Sequence, residues 1–200
     1  IKKHKRIIFN GNNYSEEWVA EAERRGLPNL KTAVDAIPAL IAEKNIELFK
    51  RTGVLTPTEV YSRYEIQLEN YIKTLRIEAL TMAEMINQQI LPAALYYVKR
   101  VADTVSALNS AGADSKSAKR TLDKLVALTS SLKIDADALN ESIETLDKMT
   151  GETLIKAKAY QEMVLPIMED LRKDADKLES MMDASLWPIP TYGDLLYGLI

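Results

Sequence analysis

Residues 122–146 read LDKLVALTSSLKIDADALNESIETL. Leu122, Leu125, Thr129, Leu132, Ala136, Leu139, Ile143 and Leu146 recur by alternating threes and fours. That 3.5-residue period puts all eight on one stripe of an α-helix and matches the seam of a coiled coil. Acids such as Asp135, Asp137, Glu141 and Glu144 fall mostly on the polar side and read as a solvated face. The stretch therefore predicts a long amphipathic helix whose apolar stripe needs partner helices.

Its neighbours supply them. Downstream, Thr150-Gly151 breaks the pattern, and Tyr160, Val164, Ile167, Leu171, Ala175, Leu178 and Met182 mark another long helix with an expected kink at Pro166. Upstream, Thr56-Pro57-Thr58-Glu59 is a strong start signal, with a Thr N-cap, Pro at the first helical position and Glu completing a capping box. From there Leu68, Tyr71, Leu75, Met82, Ile86, Ile90, Ala94, Val98, Val101, Val105 and Leu108 form a helical stripe to Asn109, with Gly112 as terminator. Pro92 is expected to kink this helix, and the local patterns Ile90-Leu91-Pro92 and Val164-Leu165-Pro166 match. Short connections at Gly112 and Gly151 predict antiparallel packing.

The first 55 residues read differently. A short strand is expected over Arg6–Phe9, then a turn at Asn10-Gly11-Asn12-Asn13 and a helix from the Ser15 cap to Arg25. A second helical patch starts near Leu30, restarts at Pro38 and ends at Gly53. The expected fold is mostly α: long antiparallel kinked helices form a bundle with a coiled-coil-like arm, and short helices stand at the N-terminal end. The expected divisions are 1–55, 56–185 for the bundle, and 186–200 as a tail.

That tail, Leu186 to Ile200, is apolar and aromatic with one charge, Asp194. Its two prolines favour an extended strap that buries its rings on a prebuilt surface. The candidate docking contacts are Trp187, Pro188, Pro190, Tyr192, Leu195 and Leu196.

Composition excludes several functions. Lys and Arg total 26 against 29 Asp and Glu, for a net charge of -3, which argues against nucleic acid as a partner. The absence of Cys removes disulfides, sulfur metal sites and thiol catalysis. The longest nearly unbroken apolar stretch, Ile90 to Val98, is too short for a membrane span of about twenty residues. The expected protein is soluble. The start at Ile1, without Met, reads as a piece of a longer polypeptide.

Catalytic constellations are not found. The single His4 precedes every long helix, so the Glu-x-x-His set of a di-iron bundle cannot be assembled. The seven glycines are isolated, which leaves no phosphate-cradling loop. Ser185 has no triad partner in view. The basic run Lys2 to Arg6 reads as a solvated strand end, and Met82, Met85, Met163, Met168, Met181 and Met182 as core filling. Tyr61, Tyr64, Tyr71, Tyr96 and Tyr97 suit groove edges, where a ring is buried and its hydroxyl stays wet. No catalytic, cofactor-binding or metal-ligating residue is expected within the chain.

Lys5-Arg6-Ile7-Ile8-Phe9-Asn10-Gly11-Asn12-Asn13-Tyr14-Ser15-Glu16-Glu17-Trp18, then Glu21-Ala22-Glu23-Arg24-Arg25-Gly26-Leu27-Pro28-Asn29-Leu30, closely resembles the segment after the catalytic core of type III glutamine synthetases. Arg63-Tyr64-Glu65-Ile66 and Ile77-Glu78-Ala79-Leu80-Thr81-Met82 resemble that family's long helix, and Leu186 to Leu196 its carboxyl end. The middle, Ala111 to Gly151, is generic. The resemblance implies the C-terminal part of a bacterial, cytoplasmic ligase that joins ammonia to glutamate using ATP and a divalent metal, Mg or Mn. It also implies a homo-oligomer of stacked hexameric rings. The family's metal ligands, nucleotide contacts and phosphate-directed Arg residues belong to the core expected before Ile1, so none carries over to a position here. The immediate partner is then that core, and the expected role is structural. The alternative is a free-standing helical scaffold or protein-interaction module.

Overall fold

The computed structural model describes residues 2–198; Ile1, Leu199, Ile200 and the side chain of Tyr192 lie outside the described residues. The chain forms two compact units, Ile1–Leu68 and Glu69–Ile200. Their boundary falls within one helix.

In the first unit, the strand expected over Arg6–Phe9 is absent and a 3₁₀ stretch, Lys2–Ile7, broken at His4, takes its place. A lone strand leaves its backbone groups unpaired, and no second strand exists among the described residues. Local bonding replaces the ladder: the Ile8 N–H donates to the Lys5 carbonyl at 3.1 Å. Arg25 Nη1 also donates to the carbonyls of Ile8 at 2.8 Å and Arg6 at 3.3 Å. Helix α1, Glu16–Arg24, starts at Ser15, whose hydroxyl accepts from the Trp18 N–H. Trp18 stacks on Phe9 with ring centroids 4.3 Å apart, and the Arg25 guanidinium lies 5.6 Å from the Trp18 ring. Arg24 and Arg25 donate to Glu21 and hold its carboxyl down at about 2.

Helix α2, Ala33–Ala36, buries Val34 and runs into a 3₁₀ turn, Ile37–Ile41, that contains Pro38. Helix α3, Glu43–Thr52, stops at Gly53. Helix α4, Pro57–Met85, opens on the expected capping box. The Thr56 hydroxyl accepts from the Glu59 N–H at 3.3 Å, and the Glu59 carboxylate accepts from the Thr56 N–H at 2.7 Å. Val60, Tyr64 and Leu68, one turn apart, are its buried residues in this unit.

The second unit is a helical bundle. The rest of α4 passes through a π turn, Ile86–Ile90, into α5, Leu91–Ser110, so the helix continues past Pro92. Pro92 has no N–H and its ring crowds the carbonyl four residues back. The wider turn accommodates that, and the Leu91 N–H bonds to the Ile86 carbonyl five residues earlier.

Gly112, at φ 69°, then reverses the chain. A side chain there would be strained, and the positive φ lets the Gly112 and Ala113 N–H groups bond the Asn109 and Leu108 carbonyls. Helix α6, Lys116–Asp147, packs antiparallel to α5 and to α7, Thr153–Met181. Seven of the eight stripe positions, Leu125 to Leu146, are buried, and the hydroxyl of Thr129 donates to the Leu125 carbonyl at 2.7 Å. Their partners include Ala79, Ile86, Ile90 and Ala94 from the first long helix, and Tyr160, Val164, Leu171 and Leu178 from α7.

The tail departs from the extended strap expected of it. After a 3₁₀ turn, Ala184–Leu186, Trp187 is extended, and Tyr192–Tyr197 form a short helix, α8. Thr191 and Asp194 build a capping box: the Thr191 hydroxyl accepts from the Asp194 N–H at 3.3 Å, and the Asp194 carboxylate accepts from the Thr191 N–H at 2.8 Å. Pro188 and Pro190 both precede that cap, where they do not obstruct the helix.

Candidate functional site

A groove of about 640 Å³ opens in the second unit. Its floor is made by Met82, Met85, Ile86 and Ile90 of α4 and the π turn, facing Met168, Leu171 and Ala175 of α7. The tail supplies the remaining wall with Trp187, Ile189, Pro190 and Leu195. Glu78, Thr81, Arg172, Asp176 and Glu179 add the polar lining. The volume and apolar lining fall within the range of ligand and peptide-anchor pockets.

The structure treats the six candidate docking residues differently. Trp187 is half-buried and packs on the core together with Leu186 and Ile189. Pro190 and Leu195 line the groove yet remain exposed. Pro188 and Leu196 are exposed and do not line it, and the side chain of Tyr192 lies outside the described residues. Leu186 and Ile189 belong to the apolar tail read in the sequence but not to its six candidate contacts, because the prolines and rings beside them dominate that stretch. The methionines were assigned to the core; Met82 and Met168 do pack against it, but they also line the groove.

A second polar arrangement ties three helices of this unit together. Arg76 on α4 donates to both oxygens of Asp147, from Nε at 2.8 Å and from Nη2 at 2.7 Å. The Tyr160 hydroxyl donates to the same carboxylate at 3.1 Å. The Arg76 hydrogen bond draws Asp147 below its ordinary value against partial burial, and Asp147 raises Arg76 in return. Burial, reinforced by Asp147, pushes the Tyr160 phenol up to about 12. Such groups clamp; none is poised to exchange a proton near neutrality.

Further along the α6–α7 contact, burial raises Asp135, with Asp174 and Asp170 adding to the effect. Burial also works to raise Asp174, but hydrogen bonds from Lys177 and Ser131 leave it lowered. Among the described residues no three His, Cys, Asp or Glu side chains converge to hold a metal ion. His4 is exposed. These side chains do not fit a nucleotide with its divalent metal. No helix of the described residues is long and apolar enough to cross a membrane.

Comparison with known proteins supplies what the geometry lacks. Residues 1–109 match the glutamine synthetase C-terminal domain. A glutamine synthetase of Butyrivibrio fibrisolvens is 41% identical over 98% of this chain. The type-3 glutamine synthetase of Dictyostelium discoideum is 31% identical over 98%, and a glutamine synthetase of Bacteroides fragilis 27% over 96%. The chain spans only 28% of the first of these relatives and 27% of the other two. Because the matched segment takes in more than half of its residues, the chain belongs to the glutamine synthetase C-terminal domain family.

Proposed function

We propose that this chain is the helical C-terminal region of a type III glutamine synthetase subunit and that its work there is structural. The parent enzyme joins ammonia to glutamate in the cytoplasm, with ATP and a divalent metal bound by a core that this chain does not include. The region packs on that core and helps set a homo-oligomeric, ring-shaped assembly. One observation carries the reading: named glutamine synthetases align with nearly the whole chain, while the chain spans little more than a quarter of each of them. The polar groups present favour the division of labour, because Arg76, Asp147 and Tyr160 satisfy one another between helices.

The test is complementation. ATP-dependent glutamine formation is measured for the 200-residue chain, for a synthetase subunit lacking the corresponding region, and for the two co-expressed. Activity restored only by co-expression, with recovery of the assembled mass, is the expected result. Glutamine formation by the chain alone would overturn the structural role.

A further inference from the structure

The groove of the second unit is not explained by the clamp or by the family match. Its floor is unusual for a surface: three methionines, Met82, Met85 and Met168, stand beside Ile86 and Leu171. Methionine is flexible and polarizable, and it recurs where one surface must accept irregular apolar side chains. The wall adds Trp187, a residue type enriched at binding hot spots. A volume of about 640 Å³ is too small to hold a whole α-helix of several turns, about 10–12 Å across, but it is enough for the anchors on one of its faces.

The charges at the edge select among visitors. Arg172 Nε donates to Asp176 at 2.7 Å, so those two largely cancel. Among the described residues Glu78 and Glu179 form no ion pair. The groove thus presents two carboxylates without an ion-pair partner beside an apolar floor. We propose that it docks an amphipathic helix from a partner protein, one that places Leu- or Phe-type anchors on the methionine floor and Lys or Arg opposite Glu78 and Glu179. Complementary charge at the edge sets partner choice, while the apolar anchors hold the helix in place. This inference stands apart from the synthetase assignment and survives its failure.

The probe is a fluorescein-labelled peptide of about eighteen residues, with Leu and Lys at helical spacing. It is titrated into the 200-residue chain by anisotropy, beside a peptide in which Glu replaces every Lys. The Lys peptide is expected to bind about tenfold tighter than the Glu peptide. Glu78→Gln with Glu179→Gln should weaken it by only about fivefold, since each pair at a solvated edge contributes little. The exposed pair Glu141→Gln and Glu144→Gln on α6 controls for general charge and should leave binding unchanged. In a Trp18→Phe background, binding should shift the emission of Trp187, whereas unchanged emission would place the peptide elsewhere and overturn the proposal. It is also overturned by equal affinity for the two peptides, by no binding, or by equal weakening in the α6 control. Self-association of the chain that the peptide disperses would assign the groove to a second copy and overturn the partner.

Discussion

Asp147 stands at the end of α6 with Arg76 on one side and Tyr160 on the other. Its folded pKa is depressed, so its contribution to stability is complete above the ordinary carboxylate value of 3.8 and is lost as pH falls through the lower folded value. Asp147→Asn should therefore lower the melting temperature at pH 7, and the gap to the parent chain should close as the pH drops below 3.8. Melting curves from pH 7 down to about pH 2 check this. Tyr160→Phe leaves the Arg76–Asp147 pair intact and removes one hydrogen bond, a loss of about 1 kcal/mol in urea unfolding. The clamp was invisible in the sequence, because Arg76 and Asp147 are 71 positions apart and no periodicity marks them as neighbours. Trp187, by contrast, announced itself through its apolar surroundings.

The helices were far more legible than the loops between units of chemistry. Alternating threes and fours identify the α6 stripe because burial follows helical geometry directly, and the same logic separates its two faces. Leu132 is fully buried and Ile134 is 66% exposed. Leu132→Ala should cost about 2–5 kcal/mol, whereas Ile134→Ala should stay within about 0.5 kcal/mol, as chemical denaturation will show. The Thr56 capping box was equally plain. Its counterpart at Thr191 and Asp194 was present in the sequence but overshadowed by two prolines, and the Arg6–Phe9 segment carried strand-like residues without a strand to pair with. The π turn had no local signature beyond Pro92. If the extra width there exists to accommodate that proline, deleting the exposed Gln88 should force Pro92 into a regular helix and destabilise the chain by about 3 kcal/mol. Combining the deletion with Pro92→Ala should recover most of that loss, a non-additivity that thermal melting of the three variants will test.

At the scale of the whole chain, the two units divide inside α4, at residue 68, rather than at the Gly53 break where the short helices end. The family match stops near the end of α5, while the relatives continue to align through α6, α7 and the tail. Deleting residues 186–200 removes Leu186, Trp187 and Ile189, partly buried residues packed against the core of the second unit, and should cost about 2–4 kcal/mol on the burial scale for one half-buried Trp and two aliphatic neighbours. Calorimetry would show this as a lower melting temperature, and no change would mean the tail's packing is incidental. The same arrangement gives the groove a history. Its floor is complete once α7 has been made, but its wall arrives only with residues 187–195, so during synthesis the methionine floor stands open before Trp187 closes one side of it. A protease that cuts within residues 187–195 would strip the wall and leave the methionine floor, so a cut there should loosen the proposed helix's grip without removing its seat.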